Sequence, residues 1–277
     1  MRLDAHQHFW KYSAAEYGWI PEGSALQRDW LPTDLAPLLS EAGLDGCIAV
    51  QARQNLAESR WLLDLADASE IVKGVVGWVD LRSPNVDEEL AEFSAHPKFC
   101  GVRHVVQDEP DDRFLVGSDF VRGISRLQTF GLTYDLLIFP RQLPAAIDLV
   151  ARFPEQAFVL DHLAKPGIKE RSFSSWREQI RELARAGKVM CKISGMVTEA
   201  DHAGWKPDDF RPYLDVVWEA FGEDRLMFGS DWPVCLLAAS YQQVFALVAD
   251  YVAPLSDHQR AGIFGGNAAR FYFGKMV

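Results

Sequence analysis

Two histidines near the start of the chain, His6 and His8, are spaced so that they can act together. They follow a short entry, Met1-Arg2-Leu3-Asp4-Ala5, and in an extended strand residues i and i+2 project from one face. Two imidazoles converging at a strand end can grip one metal ion or one polarised oxygen. Much later, Ala157-Phe158-Val159-Leu160 leads into Asp161-His162, and Asp231 stands within Phe228-Gly229-Ser230-Asp231-Trp232-Pro233. Three imidazoles and a carboxylate can together hold a divalent ion, or take a proton from water and return it to a leaving group. A His-x-His pair by itself is often incidental, so the reading depends on a fold that gathers all four.

The intervening elements alternate between strand and helix. After the first strand comes an aromatic segment, residues 10–32, rich in Trp, Tyr, Gly and Pro. Thr33 reads as an N-cap, with Leu35, Leu38, Leu39 and Ala42 on one helical face and Gly43 as the stop. Apolar runs at 46–51, 71–81, 99–106, 132–139, 157–162, 189–194 and 225–230 read as the next seven strands. Between and after them fall helical patterns: 59–69, a stretch opened by Asn85 and Glu88, one marked by Phe120, Ile124 and Leu127 and one by Leu143, Ile147 and Val150. Trp176, Ile180 and Leu183 mark a further helix, Phe210 to Phe221 another, and 240–252 the last. Eight strand–helix units in a chain of 277 residues predict a single-domain α/β (β/α)8 (TIM) barrel over residues 1–277. A doubly wound open sheet is the rival, but no G-x-G-x-x-G follows the first strand.

In such a barrel the polar residues at the C-terminal strand ends are the active-site candidates. They are His6 and His8, Gln51, Asp80, Arg103 and His104, Asp135, His162, Ser194 and Asp231. Several have a structural reading as well. His162 could be a core histidine bonded to a carbonyl, and Asp231 a turn former ahead of Pro233. Arg103 and His104 face opposite ways on one strand, so only one of them can face a pocket. Asp80, Asp135 and Asp161 read as loop caps. Trp10, Trp30, Trp78 and Trp232 read equally as pocket walls or as seals of the barrel end. His96, His202 and His258 read as solvated surface.

Composition narrows the function classes. The apolar share is 48%, and the formal charge is −11, which disfavours nucleic acid and anionic membrane as partners. Cys47, Cys100, Cys191 and Cys235 are scattered and form no Cys-x-x-Cys pair, so they read as small buried hydrophobes. There is no signal-peptide pattern and no apolar run of membrane-spanning length, which makes a cytosolic location the default. The sequence leaves the oligomeric state open.

Taken together, these residues resemble the amidohydrolase superfamily. The resemblance rests on His6-Gln7-His8-Phe9-Trp10, on His162 within Leu160-Asp161-His162-Leu163-Ala164-Lys165-Pro166, and on Gly229-Ser230-Asp231-Trp232-Pro233. Gly77-Trp78-Val79-Asp80-Leu81 and Gly101-Val102-Arg103-His104 narrow it to the sugar-lactone hydrolase branch, with pyrone-dicarboxylate lactonases as more distant cousins. It spans nearly the whole chain, as far as Gly265-Gly266-Asn267-Ala268-Ala269-Arg270. The resemblance implies a hydrolase in which Asp231 is the general base on water, and His6, His8 and His162 are the other catalytic residues. The carbonyl is then polarised by protonated or hydrogen-bonding imidazoles helped by Arg103, or by a metal.

Substrate-binding candidates are Arg103, His104, Trp10, Trp30, Gln51, Trp78 and Trp232. Two-metal members place a lysine or glutamate at the end of strand four, whereas this chain has Arg103 and His104 there. At most one divalent ion, Zn²⁺, is therefore expected on His6, His8, His162 and Asp231, with activity not strictly dependent on it. The expected substrate is a small, neutral aldonolactone, first a deoxysugar lactone of the L-fucono type, because the strand ends offer few cations, chiefly Arg53 and Arg103. A metal-dependent decarboxylase, or another carboxylic-ester or lactone hydrolase of the same superfamily, is the alternative. A non-catalytic binding barrel is the dissimilar one.

Overall fold

The eightfold alternation holds in the computed structural model, which describes residues 1–274. Eight parallel strands run in chain order: β1 (Leu3–Gln7), β2 (Gly46–Val50), β3 (Val72–Gly77), β4 (Phe99–His104), β5 (Thr133–Leu136), β6 (Phe158–Leu160), β7 (Val189–Ile193) and β8 (Leu226–Phe228). The two edges meet where Gln7 pairs in parallel with Trp232. Two backbone bonds seal that seam, His8 N to Trp232 O at 2.7 Å and Asp231 N to His6 O at 2.8 Å. The histidine pair and the aspartate are thus hydrogen-bonded neighbours although more than two hundred residues separate them.

Helices α1 (Pro32–Glu41), α2 (Leu56–Ala68), α3 (Val86–Ser94), α4 (Ser118–Leu127), α5 (Leu143–Arg152), α6 (Ser174–Leu183), α7 (Pro207–Phe221) and α8 (Tyr241–Val252) follow the strands in turn. Their starts differ from the sequence reading in informative ways. Pro32 occupies the first turn of α1, where its missing N–H is harmless, and Asp34 accepts from Leu31 N at 3.0 Å, so Thr33 lies inside the helix. Asn55, not a residue near 59, caps α2, its side chain accepting from Glu58 N at 2.8 Å. Asn85 precedes α3 without a side-chain cap. The strands at positions three, six and eight are also shorter than their apolar runs, because the chain turns out of the sheet at Trp78, Asp161 and Gly229.

Two apolar layers enclose the sheet. The larger lies between strands and helices and includes Cys47, Val75, Val102, Leu136, Leu160 and Phe228. The smaller joins Leu3, Ile48, Val76, Val159, Met190 and Met227 to Ala268, Ala269 and Tyr272 of a terminal helix, α10 (Asn267–Phe273). That helix follows the short α9 (Asp257–Ala261) and a π-turn at Gly262–Gly266. Gly265 is required there: its φ is +146°, and a Cβ would lie 2.5 Å from Leu3 N and from Met1 O. All four cysteines are buried and free. No described helix is long and apolar enough to cross a membrane.

Candidate active site

A buried ionic layer lies between the apolar layer near α10 and the histidines. Along β7 and the residue just beyond it, Met190, Lys192 and Ser194 alternate onto one face. Met190 joins the apolar layer, Lys192 enters the ionic one, and Ser194 meets His162. Lys192 has no exposed surface, and its ammonium lies 2.5 Å from Asp135 Oδ2 and 3.0 Å from Asp161 Oδ1. Tyr272 of α10 donates to Asp135 at 2.8 Å, and Arg103 Nη1 lies 3.2 Å from Asp161 Oδ2. Two buried carboxylates are thereby balanced by two buried cations, the condition under which charges are tolerated in a core.

His6 rests on this layer. Its Nδ1 lies 3.1 Å from Lys192 Nζ and 3.4 Å from Asp161 Oδ1, and its Nε2 lies 3.3 Å from Arg103 Nη1. His8 donates from Nδ1 to Val50 O at 2.8 Å. A carbonyl only accepts, so the neutral ring keeps its lone pair on Nε2. His162 Nδ1 pairs with Ser194 Oγ at 2.8 Å. With each Nδ1 engaged, the three Nε2 atoms converge on Asp231 Oδ1 at 3.8, 3.4 and 3.8 Å for His6, His8 and His162.

Burial lowers the pKa of His6 well below the usual imidazole range and that of His162 to about 4, the nearby carboxylates opposing the shift only in part. Neither ring is an imidazolium at neutral pH, so the fixed positive charge on the Nε2 side of His6 is Arg103, with Lys192 on the Nδ1 side. For Asp231 burial acts upward, but the neighbouring imidazoles, His162 first and then His8 and His6, outweigh it. Its carboxyl is held well below the usual carboxylate range.

The backbone that presents these groups is strained. Asp231 has a φ of +58°. His162, Leu163, Ala164 and Lys165 have φ of 53°, 55°, 59° and 49°, four successive side-chain-bearing residues in the left-handed region. Each costs about 1–2 kcal/mol, and the surroundings hold them there. Leu163 and Ala164 are fully buried, and Trp176 Nε1 donates to Leu163 O at 2.8 Å. Gly195 (φ +60°) lets the backbone after β7 pass directly beside the His162 ring.

Above the cluster opens a cavity of about 700 Å³, lined by His8, Arg103, His162 and Asp231 among others. Of the seven residues expected to contact a substrate, only Arg103 lines it. Gln51 braces that arginine, donating to Arg103 O at 3.2 Å and accepting from Arg103 Nη2 through its own carbonyl. His104 turns the other way, pairing with Glu109 at 2.7 Å, accepting from Trp78 Nε1 at 3.3 Å and stacking on Phe114. Trp10 is fully buried with its N–H on Arg28 O at 3.0 Å, and Trp30 packs edge-on against Trp232. These four tryptophans and His104 stand behind the wall.

The aromatic that does reach the cavity from the 10–32 segment is Trp19, 45% exposed and edge-on to Trp10. Lys165, Glu199 and His202 also line it. Lys165 carried a signal in its motif, one turn beyond His162, and Lys192 carried one as a lone lysine in an apolar strand. His202, which reads as surface in the sequence, bonds Thr198 O at 3.0 Å on the cavity wall.

The donor set suits one divalent ion. His6, His8 and Asp231 offer ligand atoms all within 4.8 Å of one another, and the Nδ1 contacts orient the three rings as ligands are oriented in metal sites. At the end of β4 a cation, Arg103, stands where a bridging carboxylate would be needed for a second ion.

The amidohydrolase family model matches residues 3–274. An L-fucono-1,5-lactonase of Burkholderia multivorans is 46% identical over 98% of this chain and 96% of its own length. Another L-fucono-1,5-lactonase, from Burkholderia ambifaria, is 38% identical over 98% of this chain and 95% of its own. A crystal structure of a Burkholderia multivorans amidohydrolase with bound zinc superposes with a TM-score of 0.94 at 46% identity, covering 98% of this chain and 99% of the other.

Proposed function

The chain belongs to the amidohydrolase family, and from that premise we propose that it opens the ring ester of a small, neutral sugar lactone, of the L-fucono type first, to give the aldonic acid. The observation that carries the reading is the convergence of Asp231 Oδ1 with three imidazole Nε2 atoms at the floor of a cavity whose cations are each paired with an acid. Arg53 lies beside Glu16 and Glu58, Arg103 lies 3.2 Å from Asp161 and Lys165 lies 3.6 Å from Glu199. A dicarboxylate would call for unpaired cations. A hydroxyl-rich neutral ring suits the balanced wall.

The catalytic roles follow from the same geometry. Asp231, ionised at neutral pH, takes a proton from water as the water oxygen attacks the lactone carbonyl carbon. Charge that develops on the carbonyl oxygen meets Arg103, a desolvated cation whose interaction is worth more than it would be in water. Collapse breaks the bond to the ring oxygen, and the proton on Asp231 passes to that oxygen. The low proton affinity of Asp231 makes it a modest base and, once protonated, an effective donor. His8, with its hydrogen committed to Val50, offers only an acceptor and so helps to hold the attacking water. The Nε2 atoms of His6, His8 and His162 with Asp231 would hold one zinc ion, which when bound supplies Lewis-acid polarisation of the carbonyl and lowers the pKa of water. Four free, buried cysteines fit the cytosolic setting in carbohydrate catabolism that goes with this reading.

The experiment is Asp231→Asn, which keeps the shape and removes the base. We expect a loss of at least about 100-fold in kcat on the sugar lactone. An unchanged kcat removes Asp231 from this role.

A further inference from the structure

The left-handed turn after β6 delivers a second side chain besides His162. Lys165 N donates to His162 O at 2.7 Å, closing a three-residue turn. With three residues per turn, positions i and i+3 stack on the same side, about 6 Å apart along the axis. Lys165 therefore rises on the same wall as the His162 imidazole, and both line the cavity with Asp231 and Glu199. The chain after Lys165 is fixed in place: Lys169 N donates to Glu199 O at 3.0 Å, and Tyr213 Oη donates to Gly167 O at 3.1 Å. The first of these bonds ties Glu199, on the turn after β7, beside Lys165.

The pair is close but not joined. Nζ and Oε1 stand 3.6 Å apart, beyond a hydrogen bond, and the two side chains are only 18% and 21% exposed. No side-chain hydrogen bond engages Lys165 Nζ among the described residues, whereas the other cations of the cavity are committed. Arg53 is joined to Glu16, and Arg103 serves Asp161 and the Gln51 carbonyl, while Lys165 Nζ lies 5.6 Å from the centre of the Phe139 ring. An ammonium with donors to spare beside a carboxylate with acceptors to spare is neutral as a pair. It offers nothing extra to a carboxylate ligand and two complementary contacts to neighbouring hydroxyls.

We infer that Lys165 and Glu199 form the hydroxyl-reading subsite of the cavity, Lys165 donating to and Glu199 accepting from adjacent ring hydroxyls so that the lactone carbonyl is seated against His8, His162 and Asp231. The inference rests on the lactonase reading and adds to it the residues that select a sugar over a bare lactone ring. It explains why a strained turn is kept beyond His162 itself: the fourth left-handed residue brings the ammonium to the wall.

The test compares kcat/KM for a polyhydroxylated aldonolactone with that for δ-valerolactone, the same ring without hydroxyls, in the wild type, Lys165→Met and Glu199→Gln. A charge-assisted hydrogen bond to a hydroxyl corresponds to a loss of about 10- to 100-fold. We expect each variant to lose that much on the aldonolactone, and at least about tenfold more than on δ-valerolactone. Equal losses on both substrates would mean a structural role and overturn the inference. Failure of the wild type to hydrolyse any aldonolactone would instead overturn the lactonase reading, and this subsite with it. Should Lys165→Met not fold, as judged by circular dichroism, Glu199→Gln reads the same ratio from a different turn.

Discussion

Replacing Gly195 by alanine probes the site without touching a catalytic group. Gly195 has a φ of +60°, and a Cβ built on it lies 2.5 Å from His162 Nδ1, 2.6 Å from its Cγ and 2.9 Å from its Cβ. Ordinary contact begins near 3.5 Å, so the ring must retreat by about 1 Å. The 2.8 Å bond from Nδ1 to Ser194 Oγ, which aims Nε2 at Asp231, does not survive such a shift. A misplacement of about 1 Å typically lowers rate about 100-fold. Left-handed strain on alanine adds a stability cost of about 1 kcal/mol, and the contact adds a further ~1–3 kcal/mol. Gly131→Ala is the matched control: its φ is +67° and a Cβ there meets nothing within 4 Å, so it carries the backbone strain alone. Lactone hydrolysis and thermal unfolding of the two variants separate the effects. We expect both to unfold at lower temperature and only Gly195→Ala to lose about 100-fold in kcat/KM. A folded Gly195→Ala that keeps wild-type kcat/KM would refute the claim that the position of His162 matters to the chemistry.

Two further outcomes follow from the electrostatics. Because burial lowers the His162 pKa to about 4, the acid limb of kcat/KM should inflect near pH 4, and an inflection near 6.5 would contradict the neutral-imidazole arrangement. The same shift is a stability statement: the unfolded chain takes up a proton on this ring below about pH 6.5 and the folded one resists until about 4. Denaturation should therefore show His162 contributing up to about 3 kcal/mol that is present above pH 6.5 and lost as pH falls through that window. As for metal, Arg103 already places a fixed cation 3.3 Å from His6 Nε2. After chelation verified by elemental analysis, sugar-lactone hydrolysis should persist; complete loss restored by stoichiometric Zn²⁺ would make the ion the indispensable electrophile.

The barrel was legible because its signal is repeated. Runs such as Val189-Met190-Cys191 and Leu226-Met227-Phe228 alternate with helices whose apolar residues recur at three and four, and each unit reinforces the count of eight. The strand ends were legible for a related reason: polar residues directly after apolar runs have few places to go. What the runs did not encode was where strand becomes turn. Nothing in His162-Leu163-Ala164-Lys165 announces four left-handed residues, since none is glycine or asparagine, and only the buried environment of Leu163 and Ala164 imposes them. The same limit hid the pairing of Lys165 with Glu199, which meet through tertiary contacts between two loops. Arg103 and His104 showed their opposite facing through strand parity, but which one entered the barrel depended on register. The tryptophans misled because a large aromatic in a loop buries itself as readily behind a wall as in it, and Trp10 and Trp30 did so while Trp19 stayed at the mouth.

The most direct measurement of the central claim is hydrolysis by the purified protein of a panel of neutral aldonolactones, pyrone dicarboxylates and aryl carboxylates, followed by a pH indicator for acid release and by product analysis for decarboxylation. The account predicts acid release from aldonolactones, fastest for a deoxysugar lactone of the L-fucono type, and no decarboxylation of the aryl acids. Turnover of the dicarboxylates or aryl acids with the sugar lactones left intact would contradict it.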